Sequence, residues 1–166
     1  MACLIAFSGL PGTGKSTIAR QLAAQTGATW LRIDSIEQAI RDSGVVAGDL
    51  DDAGYRAAYA IAGDNLRLGR DVIGDSVNPW MLTRDAWRAV GLEAGARLLE
   101  VEIVCTDIAE HRRRVDQRAR EVPGLKLPSW QAVTAHDYRP WTRDRLVVDT
   151  GVLNISESVQ LIRAAS

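Results

Sequence analysis

The residues most able to do chemistry stand near the start of the chain. Gly9-Leu10-Pro11-Gly12-Thr13-Gly14-Lys15-Ser16-Thr17 matches G-x-x-x-x-G-K-[ST] in full. Each residue type has a physical reason to be there. Gly9, Gly12 and Gly14 permit positive φ and close backbone approach. Successive N–H groups can then turn inward as a nest for anions, reinforced by the start of a helix. Lys15 would reach the β- and γ-phosphates of a nucleotide, and the Ser16 hydroxyl would serve Mg²⁺. Four fixed positions recur by chance in fewer than about one chain in a hundred of this length. An apolar run before the motif and a helical pattern after it supply the context that gives it meaning.

Two acids follow at the ends of later apolar runs. Asp34, in Arg32-Ile33-Asp34-Ser35, could accept the proton of an attacking hydroxyl or hold Mg²⁺ through water; alternatively it caps a helix beginning near Ser35. Asp75, in Val72-Ile73-Gly74-Asp75-Ser76-Val77-Asn78, could support the metal or the acceptor. Either acid could be the base. Asn78 precedes Pro79 and reads first as a turn former, with substrate contact as the second option. Arg114 and Arg118 stand four apart, as on one helical face, and could neutralise a transferring phosphoryl group. Arg112, Arg113 and Arg120 read as surface residues, as do His111 and His136, which have no metal-ligand spacing.

These residues need a scaffold that brings strand ends together. The chain has 166 residues, 46% apolar and 25% charged, enough for one globular domain spanning 1–166. Strand candidates at 3–7, 29–33, 71–74, 98–105 and 146–148 alternate with helical patterns, the signature of a parallel α/β sheet. They show little polar alternation, as when helices cover both faces. Ile18, Leu22 and Ala23 mark one buried helix face; Ile61, Leu66 and Leu68 mark another, and Ser156 reads as the start of the last helix. Residues 122–141 hold three prolines and no strand candidate, so a lid or acceptor loop is expected over about 112–141. Trp80, Trp87, Trp130, Tyr138 and Trp141 could wall an acceptor pocket or pack in the core. Arg84 and Arg88 are expected to face solvent.

In this order the phosphate loop, Arg32-Ile-Asp34, Val72-Ile-Gly-Asp75-Ser-Val-Asn78 and Arg114-Val-Asp-Gln-Arg118 resemble the small P-loop kinases. The resemblance is nearest to AAA-family ATPase-like kinases similar to the kinase domain of polynucleotide kinase. It runs more distantly to gluconate, shikimate and adenylyl-sulfate kinases and chloramphenicol phosphotransferase. It implies a P-loop NTPase three-layer sandwich, with a five-stranded parallel sheet in order 2-3-1-4-5 and a helical lid. It also implies ATP·Mg²⁺ as donor and a hydroxyl acceptor near Asp34. Polynucleotide kinases place an arginine three residues after that acid; here the position holds Glu37.

The expected activity is therefore transfer of the γ-phosphate of ATP to a small-molecule hydroxyl. Lys15, Asp34 and Arg118 would be catalytic, with residues 9–17, Arg114 and Arg118 on the nucleotide. Ser16 and Asp75 would hold the metal, and Asp34, Asp75 and Asn78 the acceptor. A 5'-hydroxyl polynucleotide kinase and a nucleotide-dependent switch without acceptor chemistry stay open. The net charge of -1 offers no cationic track for a strand or an anionic membrane. The run ending in Gly74-Asp75 lacks the Asp-Glu of motor ATPases, and Val104-Cys105-Thr106-Asp107 lacks the guanine signature Asn-Lys-x-Asp. Cys3 and Cys105 read as buried free thiols, and the chain as a cytoplasmic protein without a membrane or secretory segment.

Overall fold

A computed structural model describes residues 1–46, 48–119 and 121–166. Five parallel strands form one sheet: β1 (Cys3–Ser8), β2 (Thr29–Arg32), β3 (Val72–Asp75), β4 (Arg97–Val104) and β5 (Leu146–Asp149). Their spatial order is β2-β3-β1-β4-β5, the expected one. The helices are α1 (Lys15–Thr26), α2 (Ile33–Asp42), α3 (Ala53–Arg67), α4 (Met81–Glu93), α5 (Ile108–Asp116), α6 (Trp130–Thr134) and α7 (Ile155–Ala165).

Alternation along β1 builds two cores. Cys3, Ile5 and Phe7 face Ile18 and Leu22 of α1 and Val159 and Ile162 of α7. Leu4 and Ala6 face Ala58, Ala62 and Leu66 of α3 and Trp87 of α4. The apolar face of α3 differs from the expected one: Ile61 and Leu68 are exposed, while Gly54, Ala58, Ala62, Gly63 and Leu66 are buried. Small residues let the helix lie close to its neighbours, so bulk was a poor guide. The last helix is capped by Asn154 rather than Ser156, through a reciprocal box with Glu157.

One strand breaks the apolar pattern. Glu100 and Glu102 of β4 point to the α4 side, yet both are buried. The chain returning from α6 covers them: Arg143 pairs with Glu100, and Arg145 and the Tyr138 hydroxyl with Glu102. Arg84, expected in solvent, is fully buried beneath this strap. Its guanidinium donates to the carbonyls of Asn78, Pro79, Arg139 and Pro140 and lies 4.2 Å from the centre of the Trp141 ring. Main-chain oxygens and an aromatic face replace water around it, which the i, i+4 spacing with Arg88 could not reveal. Arg88 is half exposed, as expected.

Gly74 of β3 fits against the indole of Trp87, where a Cβ would stand 2.8 Å from two ring carbons. We predict that Gly74→Ala costs about 1–3 kcal/mol and Trp87→Ala about 3–5 kcal/mol. The Gly74→Ala cost should shrink in a Trp87→Leu background. Urea melts of the single and double variants check this; equal costs in both backgrounds would refute the contact.

Candidate functional site

The carboxyl ends of β1, β3 and β2 lie side by side, with Asp75 in register between Phe7 and Arg32. The loop after β1 therefore opens beside the acids that follow β2 and end β3. Gly9 donates its N–H to Val77 O at 3.1 Å, tying that loop to the chain after β3. The result is a hollow of about 260 Å³. Pro11, Gly12, Gly14, Lys15, Ser16 and Thr17 line one wall. Asp34, Asp75, Ser76 and Val77 line the next, and Arg114, Arg118, Glu121 and Lys126 close it with Leu125, Leu127 and Pro128.

The remaining loop residues shape the wall from behind. Thr13 and Lys15 both fold onto Leu10 O, Thr13 Oγ1 at 2.9 Å and Lys15 Nζ at 2.9 Å. Gly9 has no room for a side chain, since a Cβ would stand 2.2 Å from the Ile103 carbonyl oxygen. Gly9, Leu10 and Thr13 are thus outside the lining, and so is Asn78. Asn78 is buried with φ 49°, the turn conformation its sequence suggested; its side-chain amide has no partner among the described residues.

Electrostatics single out Lys15 and Asp75. Burial pulls the Lys15 ammonium down to about 8, against the opposing pull of Asp75 and Asp34. Burial raises Asp75, while Lys15 and a hydrogen bond from Ser16 work to lower it. Trp30 Nε1 also donates to Asp75 Oδ2 at 3.2 Å. A half-buried hydroxyl beside a buried carboxylate, at the glycine-rich loop, is a hard-oxygen donor set that suits Mg²⁺. Among the described residues no group of three or more His, Cys, Asp or Glu is placed to hold a metal without phosphate or water.

Asp34 lies in the first turn of α2, one residue past the helix start, and makes no capping bond there. Its Oδ2 is 3.7 Å from Arg118 Nη2. The capping alternative is thus not the one adopted. Arg118 reaches the hollow by a different route from the one expected. Helix α5 ends at Asp116, so Arg114 and Arg118 do not share a helical face. Arg114 sits in the last turn, held by Glu110 Oε1 at 2.7 Å and by Thr150 Oγ1 at 2.9 Å; Arg118 follows in irregular chain beyond the helix end. Arg112, Arg113 and His136 are exposed, while Arg120 lies outside the described residues.

His111 corrects another expectation. It is buried, with Nε2 2.8 Å from Pro11 O and its ring edge-on to Trp130. A histidine in an arginine-rich helix looked solvated; only the fold brings it against a residue 100 positions away. No aromatic side chain among the described residues lines the hollow. Trp87 is core, Trp80 is exposed, and Trp130, Tyr138 and Trp141 are half-buried in packing contacts. Sequence reasoning also passed over Lys126 and Thr150. Lys126 carried no motif, and Thr150 acts 137 residues from its partner, Thr13.

Comparison with known proteins places the fold. A family profile described as an AAA domain matches residues 4–136. Uncharacterised proteins of Mycobacterium tuberculosis and Mycobacterium bovis are 33% identical over 104 residues, 60% of this chain. That match covers 20% of each relative, so the chain corresponds to a fifth of their length. A candidate kinase from Chloroflexus aurantiacus superposes with TM-score 0.76 at 21% identity, covering 99% of this chain and 95% of that one. The APS kinase of Mycobacterium tuberculosis in complex with AMPPNP and APS gives 0.69 at 18%, covering 98% and 96%. A gluconokinase from Sinorhizobium meliloti gives 0.61 at 23%, covering 97% and 92%. By the match across residues 4–136 the chain belongs to the AAA-domain family, and its fold is that of the P-loop kinases.

Proposed function

We propose that this protein is a kinase that transfers the γ-phosphoryl group of ATP, with Mg²⁺, to a hydroxyl of a small molecule. One observation carries the reading. The Lys15 wall, the Asp34 carboxylate and Arg118 face one hollow, with Asp34 and Arg118 3.7 Å apart. Phosphoryl transfer asks a protein for positioning and charge neutralisation rather than covalent chemistry. Lys15 and the loop amides bind the β- and γ-phosphates. Ser16 and Asp75 would hold Mg²⁺, which would supply Lewis-acid neutralisation of the phosphate charge. Asp34 orients the acceptor hydroxyl and takes its proton. Arg118 and Arg114 stabilise charge on the transferring group. The names of the fold relatives, an APS kinase and a gluconokinase, support a small acceptor. Residues 112–141 act as the lid and acceptor loop within a single kinase domain of a cytoplasmic enzyme, and the near-neutral net charge supports one that tracks neither nucleic acid nor membrane. No helix among the described residues is long and apolar enough to cross a membrane.

Asp34→Asn should lower turnover by about 10²- to 10⁴-fold and leave ATP affinity within a few-fold. Lys15→Ala should lose both. The assay is transfer from γ-labelled ATP across a panel of sugars, amino alcohols, nucleosides and a short 5'-hydroxyl oligonucleotide, with ATP affinity measured separately. Full activity in Asp34→Asn would assign the base to Asp75. Label entering the oligonucleotide alone would make the acceptor a strand, and ATP binding without transfer would leave a switch.

The Lys15 shift gives a pH dependence of definite sign. The empty site holds an ammonium below about pH 8 and a neutral amine above it. Triphosphate affinity should thus be full below that pH and fall above it, approaching about tenfold per unit, with proton uptake on binding. Calorimetry in buffers of different ionisation enthalpy measures that uptake. Affinity unchanged between pH 7 and pH 9.5 would contradict it.

A further inference from the structure

The glycines that let the loop curl also leave its peptide planes free to turn over. Gly12 has φ 85° and Gly14 φ 98°. A residue with this freedom tolerates either orientation of the peptide that precedes it, so the N–H can point into the hollow or away from it. Something must choose. In a trans peptide the C=O and the following N–H point in opposite directions, so whatever holds the carbonyl fixes the amide.

Both carbonyls are held from outside the loop. Pro11 O is an acceptor only, so His111 Nε2 carries the hydrogen and donates to it at 2.8 Å. Helix α5 is pressed close at this point: a Cβ on Gly12 would stand 2.5 Å from Val115 Cγ2 and 3.2 Å from His111 Cδ2. The Thr150 hydroxyl lies 2.7 Å from Thr13 O, nearer than its other acceptor, Val104 O at 3.0 Å, and Thr150 itself is fixed by its N–H on Val104 O at 2.9 Å. His111 and Thr150 are both buried. Among the described residues no protein acceptor takes the N–H of Gly12 or Gly14, and both glycines line the hollow.

We infer that His111 and Thr150 are positioning residues that clamp two alternate peptides of the phosphate loop. They turn the Gly12 and Gly14 amides toward a bound phosphate chain. The inference rests on the proposed phosphate-binding function and names the groups that pre-organise it. Neither side chain touches the phosphate; each acts through a carbonyl on the far side of a peptide plane. Trp130 of α6 packs on the His111 ring, so the lid shares in one clamp. Arg114 donates to Thr150 Oγ1 at 2.9 Å, so an arginine of the hollow shares in the other.

The test uses inorganic tripolyphosphate, which occupies a phosphate nest without a base or sugar, on the full chain. Thr150→Val and His111→Leu remove the donors. Thr150→Ser and His111→Gln keep one, since the glutamine Nε2 stands as many bonds from Cβ as that of histidine. Losing one neutral hydrogen bond that orients an amide should weaken tripolyphosphate about tenfold in each donorless variant. Both donor-keeping variants should stay within about threefold of wild type. The His111 pair isolates the clamp from Arg114, which hydrogen-bonds Glu110 and Thr150 and not His111. Melting temperatures without ligand expose a merely structural role: affinity would then track stability, and the Ser and Gln variants would give no rescue. That pattern, or wild-type affinity in Thr150→Val and His111→Leu, overturns the clamp alone. A wild-type chain that binds neither tripolyphosphate nor ATP overturns the clamp and the kinase reading together.

Discussion

Lys15 is almost wholly buried at the wall of the hollow, with the Leu10 carbonyl as the direct hydrogen-bond partner of its ammonium. A buried cation without a paired carboxylate is expensive, and its lowered proton affinity is the measure of that strain. Asp75 and Asp34 relieve part of the cost at longer range, which fixes where the ends of β3 and β2 must lie. Asp75 is destabilised by the same burial and leans on Lys15 and Ser16 in return. The site is a set of mutually dependent charges, one ammonium and two carboxylates held near one another by burial. The parallel sheet sets their spacing, because Asp75 ends β3 and Asp34 follows β2.

Much of this architecture is legible in the chain because the signals are local. Five apolar runs and the glycine spacing depend on neighbours within a few residues, so the strands and the loop between β1 and α1 can be read directly. Asp34 and Asp75 follow from the same logic, as residues at or just beyond strand ends. Depth is what the sequence conceals. Arg84, His111 and Thr150 look like ordinary polar residues of helices and turns, yet each is buried. Their partners are main-chain carbonyls 55, 100 and 137 positions away. A carbonyl is present at every residue and leaves no mark in the pattern, so such contacts surface only when topology is known. The buried acids of β4 are hidden for a related reason: their alternation implies a wet face, and the strap that dries it is irregular chain.

That strap explains how an irregular segment can serve a precise site. From α6 onward the chain is fastened repeatedly, by Trp130 against His111, by Arg84 under the carbonyls of Arg139 and Pro140, and by Arg143 and Arg145 on the β4 acids. Arg84 fastens the other side as well, through the carbonyls of Asn78 and Pro79 just beyond β3. One guanidinium therefore joins the turn after Asp75 to the chain returning from the lid. Its fork of donors suits carbonyls that approach from several directions, which a lysine could not match.

Charge is divided unevenly around the hollow. Lys15, Arg114, Arg118 and Lys126 stand on the loop and lid sides, where a phosphate chain would collect them. On α2 the sign reverses: Asp34 faces the hollow, and Glu37 follows one turn later against Gly54, whose missing side chain gives it room. Burial and the Asp34 charge raise Glu37, while Arg41, 3.6 Å away, holds it down. On the kinase reading, an acceptor bearing phosphate or carboxylate on this side would face the Asp34 carboxylate, with Glu37 one turn further along α2. Arg118 beside Asp34 and Arg41 beside Glu37 offset part of that repulsion. An alcohol that is neutral there, or that carries an amine, meets no such penalty. On that reading the charge of α2 bears on the choice of acceptor, which no motif in the chain names.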